Sequence, residues 1–138
     1  MSKILLNISL RVWHPTLPHG SISDRIGLPE RFAHTAGGAR TSPSGALLGG
    51  VYEETYVSMP MVRKKIVELG DELDTWLGRL EVHTDFFRSI VDAGGKVEFY
   101  VSAFVRDLGG FELDSLLVER LARAGMGVTI EIYPEERE

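Results

Sequence analysis

The sequence of 138 residues contains no cysteine, and this absence excludes several classes of site. Disulfide frameworks, thiolate zinc sites, thiol nucleophiles and redox-active CxxC pairs all require cysteine. The chain also has no apolar run of about 18 residues, the length that a membrane-spanning helix needs. Its N-terminal residues alternate between polar and apolar types and lack the continuous apolar stretch of a signal peptide. We therefore expect a cytoplasmic protein that does not associate with membranes.

The composition is that of a folded globular domain, with 43% hydrophobic and 25% charged residues. The net charge of -5 argues against non-specific binding to nucleic acid. Residues 11–50 nevertheless carry four arginines against two carboxylates, and they hold three of the four histidines. A basic segment on an acidic body can attract an anionic ligand. A chance fluctuation within a short window is the alternative interpretation.

Alternation of polar and apolar residues predicts strands. The first strand runs from Lys3 to Trp13 and is stopped by the His14-Pro15 pair. Further strands are predicted over residues 30–35, 51–58 (closed by Pro60), 96–106 and 128–133. Residues 36–50 contain five glycines and one proline, and this composition predicts a long loop.

Helical spacing of apolar residues predicts helices over residues 21–26, 71–80, 84–93 and 112–124. In the last of these, the expected buried stripe consists of Leu113, Leu116, Leu117 and Leu121. The strand, helix and strand at the C-terminal end predict a right-handed crossover between parallel strands. We predict a single α+β domain over residues 1–138, with 135–138 as a frayed tail. It is a two-layer sandwich with helices on one face of a mixed β-sheet, ferredoxin-like or a duplicated βαβ unit.

The sequence has no motif that predicts catalysis. It lacks a GxSxG nucleophile elbow and a P-loop. Three histidines (His14, His19 and His34) with Asp24 could in principle hold zinc, but their spacing is not that of known zinc motifs. We therefore predict no catalytic residue, no metal and no cofactor.

The glycine-rich segment is one candidate ligand site. Exposed backbone N–H groups, hydroxyls and a guanidinium are the components of an anion nest. The candidate residues are Arg40, Thr41, Ser42, His14 and His34. The alternative is a mobile hairpin connection without a ligand.

One face of the sheet is a second candidate site. If the helices cover the face that carries Val97 and Phe99, the opposite face carries Arg11, Trp13, Tyr100, Phe104, Arg106 and Tyr133. Aromatic residues interleaved with arginines are enriched at protein interfaces. The alternatives are a small-ligand site or a second core covered by residues 36–50 or by a helix. Glutamates on the same face argue against single-stranded nucleic acid.

The order of these features resembles an uncharacterised bacterial family, the domain of unknown function 4279. The matching segments are RVWHP, RTSPSGALLGGVYEETY, DELDTWLGRLEVHTDFFRSIVDAG and LLVERLARAGMGVTIEIY. Arg40, Gly45 and Tyr52 stand where the family pattern has an arginine, a glycine and an aromatic residue, whereas its tryptophan near Tyr56 is absent. The resemblance implies the fold class and supplies no catalytic residue.

Two hypotheses of function follow from these features. The first is a non-enzymatic protein-interaction or regulatory module that self-associates as a homodimer or binds another protein. The second is a small anionic-ligand binder or minor enzyme that uses residues 36–50 with Arg40 and the nearby histidines.

Overall fold

Most of the strands form one five-stranded sheet in the computed structural model, which describes residues 3–135. The strands of this sheet are β1 (Ile4–His14), β2 (Phe32–His34), β5 (Thr55–Val67), β6 (Lys96–Val105) and β7 (Met126–Pro134). A separate hairpin consists of β3 (Ala39–Thr41) and β4 (Leu47–Val51). The helices are α1 (His19–Ile26), α2 (Leu69–Leu80), α3 (Thr84–Asp92) and α4 (Ser115–Arg123), and a 3₁₀ turn spans Glu81–His83.

The strand order in the main sheet is β2-β5-β1-β6-β7. Neighbouring strands are antiparallel except for β6 and β7, which are parallel and joined through α4. In the first half of the chain, β1 and β2 are also joined by a helix, but β5 lies between them. The predicted mixed sheet and the parallel pairing of the last two strands are therefore confirmed.

The core lies between the sheet and the helices. Alternate residues of β1 face the helices and are buried, namely Ile4, Leu6, Ile8, Leu10 and Val12. They belong to one cluster with the buried helix residues Ile22, Leu69, Leu73, Leu77, Phe87, Ile90, Leu117 and Leu121. One face of the sheet is thus covered by helices, as predicted for a two-layer α+β sandwich.

The loop predicted over residues 36–50 is wrong, because this segment contains the β3–β4 hairpin. The carbonyl of Ser42 accepts from the N–H of Gly45, and Gly45 has φ +88°. This left-handed glycine lets the chain reverse after a tight turn. The glycines that suggested a loop therefore serve a hairpin.

The strand predicted over residues 51–58 is also wrong at both ends, since β5 begins at Thr55 and continues past Pro60 to Val67. The pairing of β5 with β1 shifts register on both sides of Val62, so β5 carries extra residues there. At these bulges Lys64 has φ +48°, and its N–H donates to Asn7 Oδ1 at 2.7 Å. A bulge accommodates proline and breaks the alternation of side chains.

The helix predicted from residue 112 begins later, at Ser115. Asp114 caps it, because its carboxylate accepts from the N–H of Leu117 at 2.9 Å. Leu113 therefore precedes the helix but is partly buried and packs against the core, whereas Leu116 is 64% exposed, so the predicted stripe is wrong at Leu116. In the predicted tail 135–138, Glu135 donates its N–H to Val105 O at 2.9 Å, and residues 136–138 lie outside the described residues.

Candidate functional site

The face of the sheet opposite the helices, which we call the open face, carries polar and aromatic side chains. It consists of Phe32, His34, Tyr56, Ser58, Asn7, Ser9, Arg11, Trp13, Glu98, Tyr100, Ser102, Phe104, Glu131 and Tyr133. A groove of about 370 Å³ runs over it. None of the residues that line the groove belongs to the hairpin or to a helix, so the expected alternative of a covered second core receives no support from the described part of the chain.

Arg11 lies at the centre of the open face. Its Nη2 donates to Glu98 Oε2 at 2.9 Å. Its guanidinium carbon lies 3.9 Å from the ring centroid of Tyr100 and 5.0 Å from that of Trp13. Stacking on two rings and pairing with a carboxylate hold this cation in one orientation. The register of β1 with β6 brings this about, because Arg11 is directly opposite Glu98.

Glu98 is fully buried beneath these groups, at 0% exposure. Its Oε1 lies 2.8 Å from Lys96 Nζ, so each carboxylate oxygen has a cationic partner. Burial acts to raise the pKa of Glu98, but hydrogen bonds from Lys96 and Arg11 outweigh it and lower the pKa. Glu98 is therefore a fixed negative charge that orients Arg11 and Lys96.

A second polar cluster lies on β6 and β7. The hydroxyls of Tyr100 and Tyr133 both donate to Glu131 Oε2, each at 2.7 Å. Their hydrogen bonds lower the pKa of Glu131, and those from Tyr100 and Glu131 raise the pKa of Tyr133. The ring of Phe104 stacks on Tyr133 with centroids 5.4 Å apart. These groups therefore hold one another in place as neutral donors around a carboxylate.

Among residues 3–135, three arginines line the groove, namely Arg11, Arg31 and Arg63, and no carboxylate does. Glu98 offsets the charge of Arg11, so Arg31 and Arg63 give the groove its positive charge in a chain whose net charge is -5. Such a surface attracts negatively charged partners over a distance of about one Debye length, roughly 8–10 Å.

Sequence reasoning placed part of this site and missed the rest. Of the six predicted interface residues, Arg11, Tyr100, Phe104 and Tyr133 line the groove. Trp13 lies beside it, 5.1 Å from the ring of Tyr56. Arg106 does not line it and instead donates from Nε to Glu135 at 2.8 Å. The residues that were missed are Arg31, Phe32, Tyr56 and Arg63, which come from β2, β5 and their flanks.

The predicted ligand site around residues 36–50 assembles only in part. Arg40 and His34 line a separate concavity of about 330 Å³, with the ring of Tyr52 stacked on His34 at 3.7 Å. The hydroxyl of Ser42 instead contacts Ser44 and accepts from Ala46 N in the hairpin turn. Thr41 is exposed on β3 and does not line this concavity.

The charges around Arg40 do not favour an anion. Glu53 and Glu54 line the same concavity. Burial lowers the pKa of His34, and the opposing influence of Glu54 does not reverse the shift. Arg40 therefore has two carboxylates and a neutral imidazole as neighbours, which weakens an anion nest at this point.

His14 is not part of that concavity, because it is buried at the end of β1. Its Nδ1 accepts from the N–H groups of Thr16 and Leu17 at 3.0 and 2.9 Å. His19 Nδ1 contacts Glu30 at 2.8 Å. Among residues 3–135 no group of three or more histidines and carboxylates is placed to hold a metal ion.

The buried position of His14 predicts a pH-dependent stability. Burial lowers its pKa below 6.5, so the unfolded chain binds a proton more readily than the folded one. The free energy of unfolding should therefore fall as the pH drops below about 6.5. In His14→Asn, the amide oxygen can accept the same two N–H groups without titrating. Denaturant unfolding between pH 5 and 7, values that span the usual histidine range, should give a shallower pH dependence for this variant. An unchanged slope would show that another group titrates.

Comparisons of the chain with protein-family models, with curated proteins and with solved structures found no significant match. The resemblance to the domain of unknown function 4279 therefore stays a prediction, as does the cytoplasmic location. In residues 3–135 no helix is both long and apolar enough to cross a bilayer. The open face, argued from its geometry alone, is the candidate functional site.

Proposed function

We propose that this protein is a non-enzymatic interaction module whose open face binds an acidic segment of a partner protein. The observation that carries this proposal is the groove lined by Arg11, Arg31 and Arg63 on an uncovered sheet face. Arginine and tyrosine are the residue types that dominate binding energy at protein interfaces. Glu98 and Glu131, the carboxylates of the face, are both held by hydrogen-bond partners. Carboxylates held by hydrogen-bond donors in this way suit a fixed binding surface better than they suit proton transfer.

The aromatic rings favour a protein partner over single-stranded nucleic acid. Bases bind such faces by stacking on free ring surfaces. On the open face, the Tyr100 ring is covered by Arg11, and the Phe104 and Tyr133 rings stack on each other. The ring of Trp13 has Arg11 and Lys96 over it, at 5.0 and 5.2 Å. Ring edges, guanidinium groups and the ring of Phe32, which is 60% exposed, remain for contact, and these suit carboxylates and aliphatic side chains.

The concavity at Arg40 supports the alternative of a small anionic ligand less well. Within residues 3–135, its single arginine is flanked by Glu53 and Glu54, whereas the groove has three arginines and no lining carboxylate. The groove therefore attracts an anionic ligand more strongly than the concavity at Arg40 does.

The charge of the groove also bears on self-association. Two copies that met groove to groove would place arginines against arginines, because no carboxylate of residues 3–135 lines the groove. Like charges across an interface disfavour association. The open face therefore suits a different, acidic partner, and a homodimer would have to use another surface.

The proposal is tested by fluorescence anisotropy with a labelled glutamate-rich peptide. The parent protein should bind it, and the double variant Arg31→Glu/Arg63→Glu should weaken binding about tenfold or more, because each reversal replaces attraction by repulsion. The double variant Arg79→Glu/Arg123→Glu makes the same change of charge on α2 and α4, away from the groove, and should have little effect. Equal loss in both variants would contradict a site at the groove. Binding of an oligothymidylate of similar charge in preference to the peptide would contradict a protein partner.

A further inference from the structure

The strand β7 forms one edge of the main sheet and is paired on one side only. It is nine residues long and bonds to β6, whereas β2 at the other edge has three residues. No other strand in residues 3–135 pairs with β7. A long edge strand presents a row of unpaired N–H and C=O groups that another strand can bond to.

The direction of these groups follows from one hydrogen bond at the end of the strand. Glu135, just after β7, donates its N–H to Val105 O of β6 at 2.9 Å. Because backbone groups alternate in direction along a strand, Val128, Ile130 and Ile132 direct their N–H and C=O groups outward. Pro134 falls in the same outward set and has no N–H to leave unpaired. Three successive outward residues thus offer both a donor and an acceptor.

Between Val128 and Ile132 the edge has no proline, no lysine and no bulge, which are features with which proteins usually prevent pairing. The register of β6 with β7 is continuous from Val97 opposite Met126 to Val105 opposite Pro134, without a bulge. β7 contains no lysine. Ile132 is 60% exposed at this edge. An edge of this length and character is suited to pairing with another strand.

An apolar side chain of α4 extends the same edge. Arg120 of α4 faces α2, where it pairs with Asp74 and Glu81. Val118 lies two positions away, about 200° around the helix, and it is 49% exposed. Val118 therefore points away from α2, toward the side on which β7 has no neighbour. Together with Ile132 it gives the edge an exposed apolar strip.

We propose that β7 pairs antiparallel with β7 of a second copy, around a two-fold axis that passes through Ile130. Ile130 is the central residue of Met126–Pro134, so this register overlaps the whole strand. Val128 then lies opposite Ile132 of the partner subunit, and both belong to the outward-bonding set. An isologous contact of this kind closes on itself and forms a dimer.

The side chains select this register over its neighbours. With the axis at Ile130, Glu131 lies opposite Thr129 of the partner subunit, a neutral residue, so the two carboxylates do not face each other. With the axis at Glu131, two carboxylates would face each other at the short Cα distance of about 4.5 Å that non-hydrogen-bonded pairs have. With the axis at Thr129, the strands overlap over fewer residues. The second copy is therefore matched to β7 in length, hydrogen bonding and charge.

The dimer would join the two main sheets edge to edge and leave both open faces on one continuous surface. It rests on β7 and α4 alone and does not depend on what the open face binds. It also differs from a dimer through the open face, because the second copy does not cover Arg11, Trp13 and Tyr100 in it.

Sedimentation equilibrium tests the proposal. The parent protein should be a dimer, and Ile132→Lys should be monomeric at the same concentration, because it places a charge beside an apolar side chain at the edge. Val82→Lys is the matched control, since Val82 is 81% exposed in the turn between α2 and α3, and it should remain a dimer. Circular dichroism confirms that each variant is folded. A monomeric parent, or a dimer that survives Ile132→Lys, would overturn the proposal.

The register is tested separately, because the chain contains no cysteine and a single introduced thiol is unambiguous. A mixture of Thr129→Cys and Glu131→Cys proteins should form a disulfide-linked heterodimer under mild oxidation, since these positions face each other across the axis. Self-linking of Thr129→Cys alone at a comparable rate would place the axis elsewhere and contradict the register. Hydrogen exchange should show the amides of Val128, Ile130 and Ile132 protected in the parent and exposed in Ile132→Lys. Rapid exchange of these amides in a parent dimer would exclude β7 as its interface.

Discussion

Replacing Gly95 with alanine should destabilise the protein by about 3 kcal/mol or more, which places it in the severe range for single substitutions. Gly95 lies between α3 and β6, and its N–H donates to Ile90 O at 2.8 Å at the end of the helix. A Cβ at this position would overlap the backbone oxygen of Trp13 and lie 2.9 Å from Ile90 O. Neither backbone atom can move freely, because Trp13 is paired with Lys96 in the sheet.

Gly20→Ala is the control for this prediction, because a Cβ there meets nothing within 4 Å. It lies in α1 and should change the free energy of unfolding by less than about 1 kcal/mol. Guanidinium unfolding of both variants measures the difference. If Gly95→Ala cost no more than Gly20→Ala, the close approach of β1 to the end of α3 would be wrong.

Leu117→Ala should cost about 2–5 kcal/mol, the range for a leucine deleted from a packed core. Leu117 is 5% exposed and belongs to the same cluster as the buried residues of β1 and β6. Removing its side chain leaves a cavity between α4 and the sheet that the fixed strands cannot close.

The adjacent residue provides the comparison. Leu116 is 64% exposed, so Leu116→Ala should cost no more than about 0.5 kcal/mol. The same unfolding experiment applies to both variants. A loss below about 1 kcal/mol for Leu117→Ala, or a larger loss for Leu116→Ala, would mean that α4 presents a different side to the sheet.

Regular alternation and regular caps made much of this fold predictable. The first strand and β6 alternate cleanly, so their inner and outer faces could be assigned from the sequence. The two glycines after α3 marked the end of that helix, and the parallel pairing of β6 with β7 follows from the short strand, helix and strand arrangement. Local chemistry decided these features, and they needed no knowledge of distant contacts.

The features that were missed depend on tertiary contacts. The bulges around Val62 allow β5 to continue past Pro60, and they are specified by its pairing with β1. Without that partner, the spacing of Val62 and Ile66 resembles a helix. The hairpin at residues 39–51 has exposed strands with few apolar alternations, so only its turn chemistry could have revealed it.

The candidate site likewise combines residues that the sequence could place with residues that depend on tertiary contacts. Arg11, Tyr100, Phe104 and Tyr133 could be placed on one face because they alternate with core residues. The bulges of β5 put Arg63 at the groove, and the short pairing of β2 with β5 adds Phe32. No pattern in the sequence indicates which strand is the neighbour of which.

The charges of the site show a further limit. The alternation of β6 places Glu98 among the arginines and aromatic residues of the outer face, where the sequence predicts an exposed negative charge. The structure buries Glu98 between Arg11 and Lys96. The charge of Glu98 therefore orients Arg11 and Lys96, and Arg31 and Arg63 keep the groove positive. Only the register of β1 against β6 reveals this pairing.

The central claim is that the open face is the functional surface, and NMR chemical-shift mapping during titration with a glutamate-rich peptide tests it most directly. The account predicts that the perturbed amides and arginine side chains cluster at Arg11, Arg31, Arg63, Tyr56 and Tyr100. It predicts little change at Arg40 in the hairpin or at Arg120 beside α2. Perturbations centred on Arg40, or none at the groove at saturating peptide, would contradict it.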